Sequence, residues 1–224
     1  MDVTNRQYAL DLDAKDPLAK FRDEFVINDP EICYLDGDSL GRLPKRTIKV
    51  INDYLVNDWG AKVVEGWGEW IEEPFATGDL LGRATLGAAA GQVLVTDTTS
   101  VNFYQLAGAA LAAKPDRKTI IIDAANFPTD RYILQGFAKE RGLNLVILNN
   151  EDPTVSQHER ITPEILEKYM NEDVAFVTFE IVQYRAGSRN DVKAITDLAR
   201  KYGALTIWDC SHAIGAIDLQ FDKD

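Results

Sequence analysis

The stretch "WDCSHAIGA", residues 208–216, places an acid and an imidazole at the end of the apolar run "ALTIW". Asp209 ends that run, and His212, one of two histidines in the chain, follows three residues later. A carboxylate here can hold a proton on a ring nitrogen, and an imidazole can stack on a ring, donate a hydrogen bond or exchange protons. The competing interpretations are a helix cap at Asp209 and a structural role for His212.

A second candidate group is "TDTTSVN", residues 96–102, in which hydroxyl side chains open a predicted helix. The first turn of a helix presents free N–H groups and the positive end of the helix dipole, so Thr99 and Ser100 suit a phosphate group. Plain N-capping by Thr98, Thr99 or Ser100 would produce the same pattern.

A third candidate group is "NFPTD", in which Phe127 follows the apolar run "KTIIID". A ring at this place can stack on a flat heterocycle, and a core or rim aromatic residue is the alternative. A phosphate site, a stacking ring and an acid for a ring nitrogen together indicate pyridoxal 5′-phosphate (PLP). A dinucleotide is disfavoured because no G-x-G-x-x-G motif follows a predicted strand, and the sequence has no Walker loop.

From Gly78 onward, apolar runs alternate with helical patterns and predict the elements that position these groups. The predicted strands are "QVLVT", "KTIIID", "LNLVIL", "VAFVTF" and "ALTIW". Gly142 is predicted to end one helix, Thr162 with Pro163 to begin another, and Asn190 to cap a third. Apolar strands between amphipathic helices predict an α/β fold with a mostly parallel sheet and flanking helices. Ligands of such sheets bind beyond the carboxyl ends of the strands.

The composition predicts two parts and restricts the partners. Residues 1–75, which include "EGWGEWIEEPF", are predicted to form an N-terminal arm or cap, and residues 76–224 a large domain. The net charge of −12 disfavours nucleic acid and anionic lipid. The two cysteines are too few for a cysteine-based metal site and fit a reducing cytoplasm. No signal peptide and no membrane-length apolar run is found in the sequence, so we expect a cytoplasmic protein with a small-molecule substrate.

The motifs resemble those of the kynureninase family, which consists of PLP-dependent hydrolases with the aspartate-aminotransferase-type fold. "YLDGDSLG" is similar to the family's Y-L-D-G-N-S-L-G element, and "DTTSVN" to its phosphate segment. "NFPTDRY" is similar to its F-P-[ST]-D segment, "YRAG" to its Y-[RK]-[ST]-G turn, and "WDCSHAIGA" to its D-x-[SA]-H-[AS]-x-G element. Class V aminotransferases and cysteine desulfurases share the general layout.

The resemblance implies a role for each matching position. Thr99 and Ser100 would contact the phosphate, Asp209 would pair with the pyridinium nitrogen, and His212 would lie against the cofactor. Phe127 would stack on the pyridine ring, and the rest of its segment would lie beside it: Pro128, Thr129 and Asp130. Ser39 and Trp67 would face the substrate.

The sequence departs from the family pattern at two positions and in one larger respect. Asp38 stands where the family usually has Asn, and Glu180 where a smaller or neutral residue is common; either could alter the substrate pocket or face water. The family's Schiff-base lysine follows the D-x-x-H element on later strands, beyond Asp224, and Lys223 in "FDKD" lacks a strand context. We therefore expect the N-terminal portion of the fold, without the small C-terminal domain, and no activity from this chain alone.

The activity implied by the resemblance is the hydrolysis of L-kynurenine or 3-hydroxykynurenine by a homodimer. The products would be L-alanine and anthranilate or 3-hydroxyanthranilate, in tryptophan catabolism and NAD biosynthesis. The alternatives are a cysteine desulfurase, a class V aminotransferase, or a non-catalytic fragment that serves as a binding or interaction domain.

Overall fold

The computed structural model describes residues 2–149 and 160–222, and the chain divides into two compact units, Met1–Ile71 and Glu72–Asp224. The assignment of these units as an arm and a PLP-binding domain stays a prediction. Within the described residues, no helix has the length and apolar character needed to cross a membrane.

The first unit consists of short helical segments and one closed loop. Its elements are α1 (Arg6–Asp13), a 3₁₀ turn (Ala19–Glu24), α2 (Lys45–Asp53), a π-helical turn (Tyr54–Trp59), α3 (Gly60–Lys62), a second 3₁₀ turn (Val63–Gly66) and α4 (Trp67–Trp70). In "YLDGDSLG", the hydroxyl of Tyr34 lies 2.9 Å from the carbonyl oxygen of Asp36 and 2.6 Å from that of Leu40. These contacts close the segment into a turn.

The second unit alternates helices and strands. Its elements are α5 (Glu73–Leu81), a π-helical turn (Gly82–Leu86), α6 (Thr99–Ala113), β1 (Thr119–Asp123), α7 (Pro128–Arg141), β2 (Asn144–Leu148), α8 (Pro163–Glu167), β3 (Val174–Glu180), α9 (Val192–Lys201) and β4 (Leu205–Asp209). The strands form one parallel sheet in the order β2-β1-β3-β4. The predicted parallel sheet is thereby confirmed.

Helices cover both faces of this sheet, and each face has its own apolar core. On one face α6 and α7 pack over Ile120, Ile122 and Phe176. On the other face α8 and α9 pack over Ile121, Val177 and neighbouring residues. Side chains alternate between the faces of a strand, so this division assigns the remaining residues of each strand to a face.

Most predicted helix ends agree with the structure. Thr162 caps α8 by accepting from the backbone N–H of Ile165, and Gly142 ends α7 with a left-handed φ of 63°. The predicted cap at Asn190 is wrong: Asp191 caps α9 by accepting from the N–H of Ala194. Asn190 is buried instead and donates to the carbonyl oxygen of Glu180 at 2.8 Å. Adjacent Asn and Asp are both good caps, so the pattern alone chose the wrong one.

The predicted strand "QVLVT" is also wrong, because this segment has no ladder in the described structure. Its backbone hydrogen bonds go to other segments and not to a strand: the N–H of Gln92 donates to Ala89, the N–H of Val95 donates to Pro74, and the carbonyl oxygen of Thr96 accepts from the side chain of Asn102. Leu94 is 50% exposed, whereas every residue of β1 and β3 is buried. An apolar run needs a neighbouring strand to become a strand itself. The helix that opens with Thr99 therefore follows an extended segment and not a strand.

Candidate functional site

Acidic residues end three adjacent strands of the sheet. Asp123 ends β1, Glu180 ends β3, and Asp209 ends β4. Glu180 and Asp209 are direct partners in the β3–β4 register. Phe176 of β3 and Ile207 of β4 pack on the α6 and α7 side, so the two-residue period puts Glu180 and Asp209 on that side as well.

Asp209 is half-buried and is oriented by a local hydrogen bond. Its Oδ1 accepts from the backbone N–H of Ser211 at 2.8 Å. This hydrogen bond stabilises a turn after β4, so Asp209 partly fulfils the capping role that was the alternative interpretation of the sequence. The carboxylate has a second oxygen and lies at the edge strand of the sheet, where it can meet a ligand.

An aromatic row lies beside these carboxylates. The ring of Phe127 meets that of Tyr184 edge-on at 5.2 Å between centroids, and Tyr184 lies 6.2 Å from the ring of His212. Phe127 is 39% exposed, so its ring is available for stacking. His212 Nδ1 is buried and has no hydrogen-bond partner in the described structure. Tyr184 belongs to the motif "YRAG", and its place between the two predicted site residues could not be predicted from the sequence.

The first turn of α7 brings a further carboxyl group to the cluster. Phe127 precedes the helix, Pro128 occupies its first position, and Asp130 lies in its first turn. Asp130 is buried, and its Oδ2 lacks a hydrogen-bond partner among the described residues. Burial raises the pKa of Asp130 to about 7, and the charges of Asp209 and Asp123 raise it too. Thr129, between Pro128 and Asp130, is half-buried.

Asp123 differs from its acidic neighbours because both of its oxygens are hydrogen-bonded. Asn126 donates to Oδ1 at 3.0 Å, and Gln183 donates to Oδ2 at 2.6 Å. Burial raises the pKa of Asp123 to about 6, while these hydrogen bonds and the charge of Arg131 act in the opposite direction. The hydrogen bond between Asp123 and Gln183 joins the end of β1 to the segment after β3.

The candidate phosphate segment begins α6. Thr98 is the N-cap and accepts from the N–H of Val101, which leaves the hydroxyls of Thr99 and Ser100 in the first helical positions. Asp97, just before the cap, has a left-handed φ of 43°. Residues 114–118 join α6 to β1, and α6 packs along the sheet. The helix must therefore run antiparallel to the strands, with its first turn towards their carboxyl ends; the convergence of Thr99 with Phe127 and Asp209 stays a prediction.

Two of the remaining predicted residues, Ser39 and Trp67, belong to the first unit. Ser39 is exposed in the turn of the first unit beside Asp38, and Trp67 is 62% exposed with its ring 6.5 Å from that of Trp70. Their role towards a substrate stays a prediction. Glu180 does not face water, since its exposed fraction is 0%. Lys223 lies outside the described residues.

The residues present fit PLP. The buried Oδ2 of Asp130 and Nδ1 of His212 lack partners in the described ranges, which is costly unless a ligand completes them. An exposed ring, a half-buried carboxylate and a helix start are the other groups that such a cofactor needs. Across residues 2–149 and 160–222, no three His, Cys, Asp or Glu side chains are placed to hold a metal ion.

Comparison with known proteins identifies relatives along nearly the whole chain. Residues 33–223 match the aminotransferase class-V family. A kynureninase of Pseudomonas fluorescens is 34% identical over 99% of this chain and 52% of its own length. A kynureninase of Deinococcus radiodurans is 36% identical over 92% of this chain and 48% of its own length. The chain thus spans about half the length of the curated relatives it matches.

Solved structures share the fold. A NifS-like protein has a TM-score of 0.70 at 16% identity, over 85% of this chain and 52% of its own. A C-DES mutant with glycine covalently linked to the PLP cofactor has a TM-score of 0.69 at 14% identity, over 93% of this chain and 53% of its own. The family and the kynureninase relatives support PLP as the cofactor. With most of its length matched by that family's model, the chain belongs to the aminotransferase class-V family.

Proposed function

We propose that this protein is a kynureninase, which hydrolyses L-kynurenine or 3-hydroxykynurenine to L-alanine and anthranilate or 3-hydroxyanthranilate in tryptophan catabolism. The observation that carries the PLP site is the group of Phe127, Asp130, Asp209 and His212 after the strand ends. The choice of reaction is supported by the kynureninases, which are similar along 99% of the chain.

Each residue has a stated task in this proposal. The first turn of α6, with Thr99 and Ser100, binds the phosphate through N–H and hydroxyl groups. Phe127 stacks on the ring, and Pro128 and Thr129 fix its position at the start of α7. Asp209 holds a proton on the ring nitrogen, which favours the ionised carboxylate and the pyridinium together. When bound and protonated, the cofactor ring withdraws electrons from the substrate Cα.

His212 and Asp130 complete the ring's surroundings. The free Nδ1 of His212 can donate to or accept from a polar atom of the cofactor or substrate. Asp130, with its raised pKa, can be protonated near neutral pH and donate a hydrogen bond. Ser39 and Trp67 face the substrate in this proposal.

None of the motifs that match the family contains the lysine that would bind PLP covalently. We therefore propose that these 224 residues bind PLP through phosphate and ring contacts, without covalent attachment. Reduction with borohydride followed by peptide mapping tests this proposal. Stoichiometric PLP on Lys223 would refute it. We also propose that the protein is a homodimer and that it is located in the cytoplasm.

The activity is tested on the native protein purified from its source cells through a tag on the N-terminus. The preparation is given PLP and then L-kynurenine, 3-hydroxykynurenine, L-cysteine, or an amino acid with a 2-oxo acid. Anthranilate is followed by fluorescence, alanine by chromatography and sulfide by a colour reaction. We expect equal amounts of an anthranilate and alanine. Sulfide from cysteine, or transamination without an anthranilate, would replace the proposal with the corresponding alternative.

A further inference from the structure

Glu180 and Asp209 are paired carboxyl groups on neighbouring strands. They are partners in the parallel register, and adjacent strands are roughly 5 Å apart. Both side chains belong to the face covered by α6 and α7, as the neighbouring core residues show. The charge of Asp209 therefore lies close enough to disfavour the ionised form of Glu180.

The two members of the pair have different surroundings. Asp209 is half-buried and accepts from Ser211, whereas Glu180 has an exposed fraction of 0%. One oxygen of Glu180, Oε2, accepts from the backbone N–H of Tyr184 at 3.2 Å. The other, Oε1, is buried and has no hydrogen-bond partner within the described structure. A buried oxygen in that position is costly as part of a carboxylate and much less so as a protonated hydroxyl that donates.

The charges around Glu180 favour its protonated form. Burial raises its pKa to about 8, and the carboxylates of Asp209 on β4, Asp123 on β1 and Asp130 on α7 add to the increase. The N–H of Tyr184 acts in the opposite direction.

Two helices, α6 and α7, pack against the face that carries Glu180 and Asp209. On α7, Arg131 acts on Asp123, and residues 98–102, at the start of α6, are uncharged. Burial and the surrounding carboxylates therefore favour the protonated form of Glu180.

We propose that Glu180 acts through its register partner Asp209 to set the pH range over which the ring nitrogen of PLP would keep its proton in this protein. The inference rests on the proposed PLP site. Asp209 would hold the ring nitrogen, and an ionised Glu180 beside Asp209 would add a second negative charge that favours the protonated ring to higher pH. Glu180 is thus a positioning residue for the charge of the ring and not a group that touches the reacting carbon.

The chain offers matched variants that separate this role from a structural one. Glu180→Gln keeps an oxygen that can accept from the N–H of Tyr184 and removes the titrating proton. Asp123→Asn removes a carboxyl of the same cluster that is not a register partner of Asp209. Asp209→Asn removes the direct partner of the ring nitrogen and tests the site itself.

The probe is pyridoxine 5′-phosphate labelled with ¹⁵N in the ring, whose alcohol cannot react with lysines as the aldehyde of PLP does. The ¹⁵N chemical shift of the probe bound to the 224-residue chain is followed from pH 6 to pH 10. We expect the deprotonation midpoint to fall by about one pH unit or more in Glu180→Gln, a tenfold change, and by less in Asp123→Asn. Superimposed curves for wild type and Glu180→Gln, or an equal shift in Asp123→Asn, would overturn the inference alone.

A wild-type measurement keeps the inference testable even if Glu180→Gln fails to fold. In the ¹³C-labelled chain, we expect the Glu180 carboxyl to be protonated at pH 7 without the probe and ionised with it. The same protonation state in both conditions would overturn the inference. If the probe does not bind, or if Asp209→Asn leaves the ¹⁵N titration unchanged, the proposed PLP site fails and the inference fails with it.

Discussion

The two ends of the parallel sheet differ in how completely their polar groups are hydrogen-bonded. At the amino ends, Asp173 accepts from the hydroxyl of Thr119 at 2.6 Å and from the backbone N–H of Lys118 at 3.0 Å. Nearby, Arg117 reaches from the start of β1 to two backbone carbonyl oxygens, those of Val174 at 2.7 Å and Tyr202 at 3.0 Å. These bonds join the starts of β1, β3 and β4 within one hydrogen-bonded layer.

At the carboxyl ends, several buried polar atoms lack a partner in the described structure. They are Oε1 of Glu180, Oδ2 of Asp130, Oγ1 of Thr178, Oδ1 of Asn126 and Nδ1 of His212. The same end carries the carboxyl groups with raised pKa values and a ring, Phe127, that is open to solvent. A paired polar group contributes to folding, whereas an unpaired one lowers stability until a ligand completes it. One end of the sheet therefore stabilises the fold, and the other carries the polar groups that we propose for binding.

The largest expected effect comes from removing the charge at the binding end. In the native enzyme, Asp209→Ala should lower kcat by about 10²–10³-fold, or roughly 3–4 kcal/mol, because the carboxylate matters most when the ring takes up charge. Retention of PLP should change much less, since phosphate and stacking contacts remain. Steady-state kinetics with saturating PLP, with Asp209→Asn as a second variant, measures this split. Near-normal kcat would reduce Asp209 to a turn-forming residue.

The next effect is a pH dependence of stability. Burial raises the pKa values of Asp123, Asp130 and Glu180 to about 6, 7 and 8. A raised carboxyl pKa means that the folded chain binds more protons than the unfolded chain, so its stability falls as pH rises through these values. For Glu180 alone the loss between pH 6 and pH 9 is on the order of 2 kcal/mol.

Urea unfolding of the chain without ligand, at pH 6 and at pH 9, checks this prediction. Glu180→Gln should lose less stability than wild type between pH 6 and pH 9, because it has no carboxyl to ionise at this position. A wild-type chain that gains stability between pH 6 and pH 9 would show that these carboxyl groups are hydrated and ionised.

A change at the amino ends should lower the stability of the chain and leave ligand binding unchanged. Arg117→Ala leaves the carbonyl oxygens of Val174 and Tyr202 without their donor and should destabilise the chain by about 1–3 kcal/mol. Binding of pyridoxine 5′-phosphate to the folded fraction should not change. Urea unfolding together with fluorescence titration of the ligand separates the two quantities. Weaker binding at unchanged stability would contradict the division between the two ends.

The smallest effect is expected at the stacking ring. Phe127→Leu should weaken ligand binding by about 1 kcal/mol, the usual contribution of an aromatic pair, and should leave kcat with saturating PLP nearly unchanged. Tyr132→Leu, on the exposed surface of α7, is the matched control because its side chain is 62% exposed. Equal binding losses in the two variants would remove Phe127 from the site.

The sequence predicted the elements whose formation depends on local pattern. The apolar runs of β1 to β4 and the turn residues Gly142 and Thr162 correspond to the structure because period and capping are local properties. "QVLVT" has the same composition but no ladder partner, and the choice of Asp191 over Asn190 depends on the burial of Asn190. Pairing and burial are decided by tertiary contacts, which a local pattern does not contain.

The same distinction applies to the candidate site. Residues that follow parallel strands share one edge of the sheet, which is why the sequence groups them as a candidate site. In the structure, the rings of Phe127 and His212 lie on either side of Tyr184. Asp130 lies close enough to Asp209 for the charge of Asp209 to raise the pKa of Asp130. The burial of Glu180 could not be predicted, since a glutamate at a strand end is usually solvated. The roles of all these residues towards PLP stay predictions.

The most direct test of the account locates the ligand on the folded chain. The ¹⁵N-labelled chain is titrated with pyridoxine 5′-phosphate, and the backbone amide chemical shifts are recorded by NMR. We predict saturable shifts at Thr99, Ser100, Phe127, Tyr184 and Asp209, and none at Arg117 or Asp173. Shifts confined to the amino ends of the strands, or the absence of saturable shifts at millimolar ligand, would contradict the account.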